Sequence, residues 1–368
     1  MLYSLQPYLK YFALLGLVPW SESSHSQFIL KIYSTFLIVF NAASFVISIY
    51  FPQTSEPFLS LIVNIIVFGA KILCVIVILL QMIVNYEDYY VFCMEIKCLG
   101  LRLQGELKIH VGGLSWQTYA KVMGLGIGFL VTLIPPIYVS LNLSLLYFWS
   151  SLSSILIIRM HCVLMLLYVD LLGRHVSLLG SRLRNVLDCH LLGANCILDG
   201  DCNQLCSLEF LLALKQSHMD LYHLFTHFNN LFGWSILSTY VVLFTDSTVN
   251  LYWTQQVLAE VYDYQYLYAT FSVFVPSLTI IFVFCRCGEF CKRQNELIGS
   301  YLRSLSSHPS PAREPAYTEL LLEFIMQVEQ NWLAINAEGF METDNSLLMS
   351  LLAAKVTYLI VLMQFSSV

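Results

Sequence analysis

Four ionisable side chains, Lys71, Arg159, His161 and Asp246, sit inside stretches that are otherwise apolar. Charge in such surroundings is costly, and it is retained where it pairs, lines water or meets a ligand. Asp246 is a candidate contact for a basic ligand. Lys71 and Arg159 fall at similar depth in their stretches, but both are cations; they cannot neutralise each other and need an anionic partner or a wet cavity. Aromatic residues gather toward one end of these stretches: Tyr138, then Tyr147, Phe148 and Trp149, then Tyr252 and Trp253, then Tyr262, Tyr264, Tyr266 and Tyr268. Aromatic walls with a few polar groups suit a small organic ligand, and the same residues suit a membrane interface. On a helix Tyr262 shares a face with Tyr266, and Tyr264 with Tyr268. The candidate ligand contacts are therefore Tyr138, Trp149, Asp246, Tyr262 and Tyr266.

The last apolar stretch, residues 346–365, carries a second pattern. Ser350, Ala353, Thr357 and Gln364 lie within roughly 40° of Ser346 at helical spacing. Small and polar groups in lipid must face protein or water, so this stripe either packs against another helix or lines an aqueous path. Lys355 lies about 180° from Gln364 and points away from that stripe.

Other chemistry is thinly represented. Asp220, His223 and His227 share a helical face that could hold a metal, but nothing else supports this and ordinary surface placement is the reading adopted. Cys196, Cys202 and Cys206 lack zinc-finger spacing. Cys285, Cys287 and Cys291 border an apolar stretch, as palmitoylated cysteines do. There is no nucleophile elbow, zinc-protease motif, phosphate-binding loop or paired-carboxylate site. The chain does not read as an enzyme, and it needs no cofactor or metal. No basic arm or aromatic-basic patch points to nucleic acid.

The elements that must hold these groups are membrane helices. The chain has 368 residues, is 58% hydrophobic and 11% charged, and has a mean hydropathy of +0.70. A soluble domain needs more charge than this. Hydropathy predicts an all-α polytopic membrane protein, a single seven-helix domain over 1–368. Its transmembrane helices are expected at 28–51, 58–84, 119–139, 143–169, 230–252, 265–285 and 345–365. Of the eighteen Lys and Arg residues, thirteen fall in the N-terminal segment and the second, fourth and sixth gaps, and none in the first, third or fifth gaps. The positive-inside rule then places the N-terminus in the cytoplasm and the C-terminus outside.

None of the eleven cysteines lies in an expected outer loop, as reduced thiols require. The sequon at Asn142 falls in a very short outer loop and is a weak glycosylation candidate. Residues 1–20 read as a short amphipathic segment on the membrane surface rather than a signal peptide. Residues 207–229 should extend the fifth helix into the cytoplasm. Leu321, Ile325, Val328, Trp332 and Ile335 repeat at helical spacing and predict a cytoplasmic amphipathic helix over 319–338. Its apolar stripe packs on its own chain or anchors a neighbouring subunit. Residues 306–315, with three prolines, read as a loop. Gly124, Gly126, Gly128, Pro135 and Pro136 interrupt the third helix as in secondary transporters of small solutes, but no inverted repeat accompanies them.

Thr357-Tyr358, five hydrophobic residues and Gln364-Phe365 resemble the C-terminal signature of insect gustatory receptors. Asn230-Leu231-Phe232-Gly233, the Gly339-Phe340 step and the N-terminal FALLGLVP run are compatible with that family. The resemblance implies a tastant-gated, non-selective cation channel in the plasma membrane of chemosensory neurons. It implies a homo- or hetero-tetramer with other gustatory subunits, whose seventh helices surround a pore. In it Gln364 and Phe365 would form the constriction, Thr357 and Tyr358 would support the pore helix, and 319–338 would join subunits. The ligand would sit in the outer half of each helical bundle. The sparse charge and abundant aromatics lean toward bitter-type compounds rather than sugars. A transporter, or an obligate co-receptor subunit with no ligand of its own, remains the alternative.

Overall fold

The computed structural model describes residues 9–19, 24–50, 58–108, 116–143, 146–192, 205–259, 264–307 and 315–366. They form α1 (Ser24–Tyr50), α2 (Phe58–Val84), α3 (Tyr86–Gly105), α4 (Trp116–Val131), α5 (Ile134–Leu143) and α6 (Leu146–Leu192). Then follow α7 (Leu208–Leu258), α8 (Gln265–Ser307), α9 (Pro315–Gln330), β1 (Asn336–Ala337), β2 (Met341–Glu342) and α10 (Asn345–Ser366). Five helices, α1, α2, α6, α8 and α10, are long and apolar enough to cross a bilayer. A shorter apolar segment, Met123–Val139, runs through α4 and α5.

Three helices set the size of the molecule. At 47, 51 and 43 residues, α6, α7 and α8 are each about 65–75 Å long, against a hydrocarbon layer of about 30 Å. They therefore carry the bundle well past any membrane they cross. They pack on one another, with α2 against α7 and α1 against α2 and α6. α6 is the central column, and its Leu164, Tyr168, Leu172 and Val176 are shut off from solvent. Around Tyr168 the rings of Phe92, Phe228 and Phe232 interlock, with centroids 5.1–6.4 Å apart. The hydroxyls of Tyr89 and Tyr168 hydrogen-bond inside this cluster. Ring pairs of this kind add about 0.5–1.5 kcal/mol each beyond their burial, which fixes α3 to α6 and α7.

Ser207 starts α7 by accepting a hydrogen bond from the Phe210 amide at 3.2 Å, the usual N-cap arrangement. The apolar segment of α4 and α5 breaks at Thr132-Leu133 because Pro135 and Pro136 follow. Neither proline has an N–H, so the carbonyls of Val131 and Thr132 lose their helical donors there.

α9 stops at Gln330 and does not reach residue 338. The chain continues extended and buries Leu333, Ile335 and Ala337 in alternation, the period of a strand. It then turns through Glu338 and Gly339, both at positive φ (52° and 72°), and returns as β2 in register Asn336↔Glu342. Two positive-φ residues in succession make the mirrored turn that suits a tight hairpin.

The suggested metal cluster is spent on packing. Asp220 pairs with Arg102 of α3, and His227 Nδ1 lies 2.9 Å from Glu95 Oε2. No group of three or more metal-binding side chains occurs among the described residues. His218 joins three helices instead. Its Nε2 meets Asn295 Oδ1 at 3.0 Å, and its Nδ1 meets Gln327 Nε2 at 3.2 Å. Burial pushes its pKa down, so the ring is neutral, accepting from Gln327 and donating to Asn295.

Candidate ligand chamber and pore helix

Lys71, Asp246 and Arg159 have protein partners. Lys71 Nζ of α2 lies 2.7 Å from Asp246 Oδ1 of α7, both nearly sealed from solvent. Asp246 is thus the anionic partner that Lys71 requires, and it is not a free carboxylate awaiting a basic ligand. Asn250 Nδ2, one turn along α7, donates to the same oxygen at 3.3 Å. Arg159 of α6 is bound by neutral acceptors. Its Nη1 donates to the Phe129 carbonyl and to Thr132 Oγ1, both at 2.9 Å, and its Nη2 donates to the Ser272 carbonyl at 3.3 Å. His161, 1% exposed, has neither ring nitrogen hydrogen-bonded among the described residues. Between α6, α7 and α8 lies a small, mostly apolar cavity whose lining includes Met165, Ile236, Thr239, Tyr240, Leu243 and Phe284.

Of the aromatic candidates, two have described side chains. Tyr138 on α5 is 64% exposed and points off the protomer. Tyr266 is half-buried near the start of α8. Tyr262 lies outside the described residues, as do the side chains of Trp149 and Asn142. Thr254 of α7 donates to Thr270 of α8 at 3.0 Å and ties those helices together at the same end.

Of the five long apolar helices α10 is the least covered, with only 6% of its apolar stretch buried. Ser346, Ser350, Ala353, Thr357 and Gln364 are all exposed on the protomer, whereas Lys355 is 5% exposed. The stripe and the lysine thus occupy opposite faces. Tyr358 sets its ring edge-on to Phe244 of α7, centroids 5.8 Å apart. The side chain of Phe365 lies outside the described set.

Lys355 Nζ has no hydrogen-bond partner among the described residues and faces the Phe244 ring from 6.0 Å. A ring face offers an ammonium about 0.5–2 kcal/mol, less than the several kcal/mol that burying the charge costs. Lys355→Met, which keeps the stem and removes the charge, is expected to stabilise the purified protein by about 1–4 kcal/mol, read as a higher melting temperature. An unchanged or lower value would show that the ammonium has a partner in the assembled protein.

The foot of α10 is clamped from two sides. Asn229 of α7 holds β1 twice: its Nδ2 donates to the Ala334 carbonyl at 3.0 Å, and its Oδ1 accepts from the Asn336 amide at 3.1 Å. Gly233, one turn on, leaves room for Glu338, and Trp234 meets Phe340 with ring centroids 6.2 Å apart. From α8, Gly288 meets the Thr343 carbonyl so closely that a Cβ there would lie 1.8 Å from the oxygen. Glu289 accepts from the Asn345 amide at 3.4 Å, and Lys292 reaches both Glu342 and Asp344 at 3.3 Å. Asp344 caps α10 by accepting from the amides of Ser346 and Leu347 and from the Ser346 hydroxyl. Burial works to raise its pKa, but those hydrogen bonds and Lys292 outweigh it and hold the carboxyl below its usual range. Asn229, Gly288 and Glu289 escaped the sequence reading, whereas Gly233 and Gly339-Phe340, noted there separately, meet in space.

The profile of the 7tm chemosensory receptor family matches residues 5–368. The chain belongs to that family. It is 75% identical over 369 residues, all of both chains, to gustatory receptor 39b of Drosophila melanogaster. It is 27% identical over 159 residues to gustatory receptor 23a of the same fly, covering 41% of this chain and 40% of that one. Its fold matches the insect olfactory receptor OR5 of Machilis hrabei with a TM-score of 0.67 at 13% identity, over 99% of each chain. OR5 in complex with eugenol matches at 0.63 and 14%, again over 99% of each. The chain is therefore an insect chemosensory receptor of the gustatory type, a membrane protein and not an enzyme.

Proposed function

We propose that this receptor is a tastant-gated, non-selective cation channel in the plasma membrane of chemosensory neurons. The spans would be seven, with α4 and α5 together as the third, the N-terminus cytoplasmic and the C-terminus outside. The supporting observation is the two-sidedness of α10: its polar stripe is uncovered while its opposite face buries Lys355 in the bundle. A helix so exposed on one protomer needs neighbours, and four copies around a water path would supply them, as a homo-tetramer or with other gustatory subunits. In that arrangement Gln364 and Phe365 form the constriction, Thr357 supports the pore helix from the stripe, and Tyr358 braces it against α7. The ligand chamber lies at the end of the bundle away from the hairpin. Asp246, neutralised by Lys71, gives no free anion for an alkaloid ammonium, so the favoured tastants are uncharged, aromatic, bitter-type compounds.

Whole-cell recording against a broad tastant panel tests this reading. Gln364→Ala is expected to change unitary conductance or gating about threefold or more, the effect of roughly 0.7 kcal/mol, with surface expression intact. Unaltered currents would remove Gln364 from the pore. Stoichiometric solute uptake without ligand-evoked current would replace the channel with a transporter.

A further inference from the structure

Two proline-disrupted helices meet at one guanidinium. In α8, Pro276 lacks the N–H that would serve the carbonyl four residues earlier, that of Ser272. At the α4–α5 break, Leu133 N turns to the Leu130 carbonyl at 3.0 Å, so the Phe129 carbonyl loses its helical donor as well. Arg159 supplies both: Nη1 serves Phe129 and Thr132, and Nη2 serves Ser272. Thr132 Oγ1 closes the group by donating to the Phe129 carbonyl at 2.9 Å. Buried carbonyls need donors, and a planar fork of N–H groups can reach acceptors on two elements at once.

α8 is one helix from Gln265 to Ser307. From Ser272 to Gly288 it runs about 24 Å, and at Gly288, Glu289 and Lys292 it grips the foot of α10. The course of α8 from Pro276 to Gly288 therefore sets where that grip lies. We infer that Arg159 is a positioning residue that locks the α4–α5 break to α8 at Pro276, and so fixes the seat of α10 further along the same helix. This deepens the channel reading, because it routes movement of the chamber wall to the pore helix, but its test needs no current.

The test is amide hydrogen exchange on the full-length protein in lipid nanodiscs. Arg159→Gln is expected to speed exchange roughly tenfold in residues 129–134 and 270–277, and also in 343–348, while 319–328 in α9 stays at the wild-type rate. Acceleration confined to the first two segments, or none anywhere, overturns the inference. If every segment accelerates, Arg159→Lys decides. It keeps the charge and fewer donors, and must return 343–348 at least halfway to wild type; failure to do so overturns the inference. Pro276→Ala gives Ser272 back a helical donor. In that background Arg159→Gln should leave 343–348 unchanged, and an equal effect in both backgrounds overturns the inference. A chain that conducts no current leaves these rates as they are, so failure here and failure of the channel reading are distinguishable.

Discussion

Asp246→Asn is expected to cost about 3–5 kcal/mol of stability and to lower the melting temperature and surface yield sharply. The substitution is nearly isosteric, so packing is not the cause. Lys71 and Asp246 are 2.7 Å apart with side chains only 6% and 8% exposed. Without the carboxylate, the ammonium stays buried with Phe68 beside it as a ring contact at 5.4 Å. A ring face does not replace a counter-charge at that depth. Lys71→Met added to Asp246→Asn removes the orphaned charge and should recover most of the loss, giving a coupling energy well above the few tenths expected for independent sites. Single and double variants melting alike would show that the pair is not the counter-charge arrangement described.

Gly288→Ala should be comparably severe. One methyl is added, but it is aimed at a main-chain oxygen 1.8 Å away, and backbone on both sides cannot turn aside as a side chain would. Overpacking costs about 1–3 kcal/mol where side chains can shift; here α8 and the segment entering α10 must separate. The expected outcome is loss of the Lys292 contacts to Glu342 and Asp344 and accelerated exchange over 343–348. Gly124→Ala is the control, because a Cβ there meets nothing within 4 Å. Equal behaviour of the two variants would remove the close approach as a constraint.

The apolar stretches were readable because lipid demands long runs of one character. What lay beyond them was not. α6, α7 and α8 continue past their apolar parts as helices buried against one another, where mixed sequence no longer announces a span. The α9 stripe misled because Ile335 satisfies a helical spacing and a strand alternation alike, and only the neighbours Leu333 and Ala337, also buried, separate the two. Depth counted from helix ends placed Lys71 and Arg159 at a similar level. It could not supply Asp246, 175 residues later, because pairing across helices depends on rotation as well as depth. The proline signal for Arg159 was present in Pro276 and Ser272, four apart, but which donor reaches a freed carbonyl is decided by packing.

The receptacle for the hairpin has a consequence for biosynthesis. Asn229, Gly233 and Gly288 leave the ribosome before residues 336–343 exist, so α7 and α8 present an open groove with unserved polar groups until the final segment is translated. Release from the folding machinery should therefore wait on the arrival of the last helix. A lesion in that groove would be sensed as incomplete maturation, with the polypeptide retained and degraded, long before any defect in signalling could be observed.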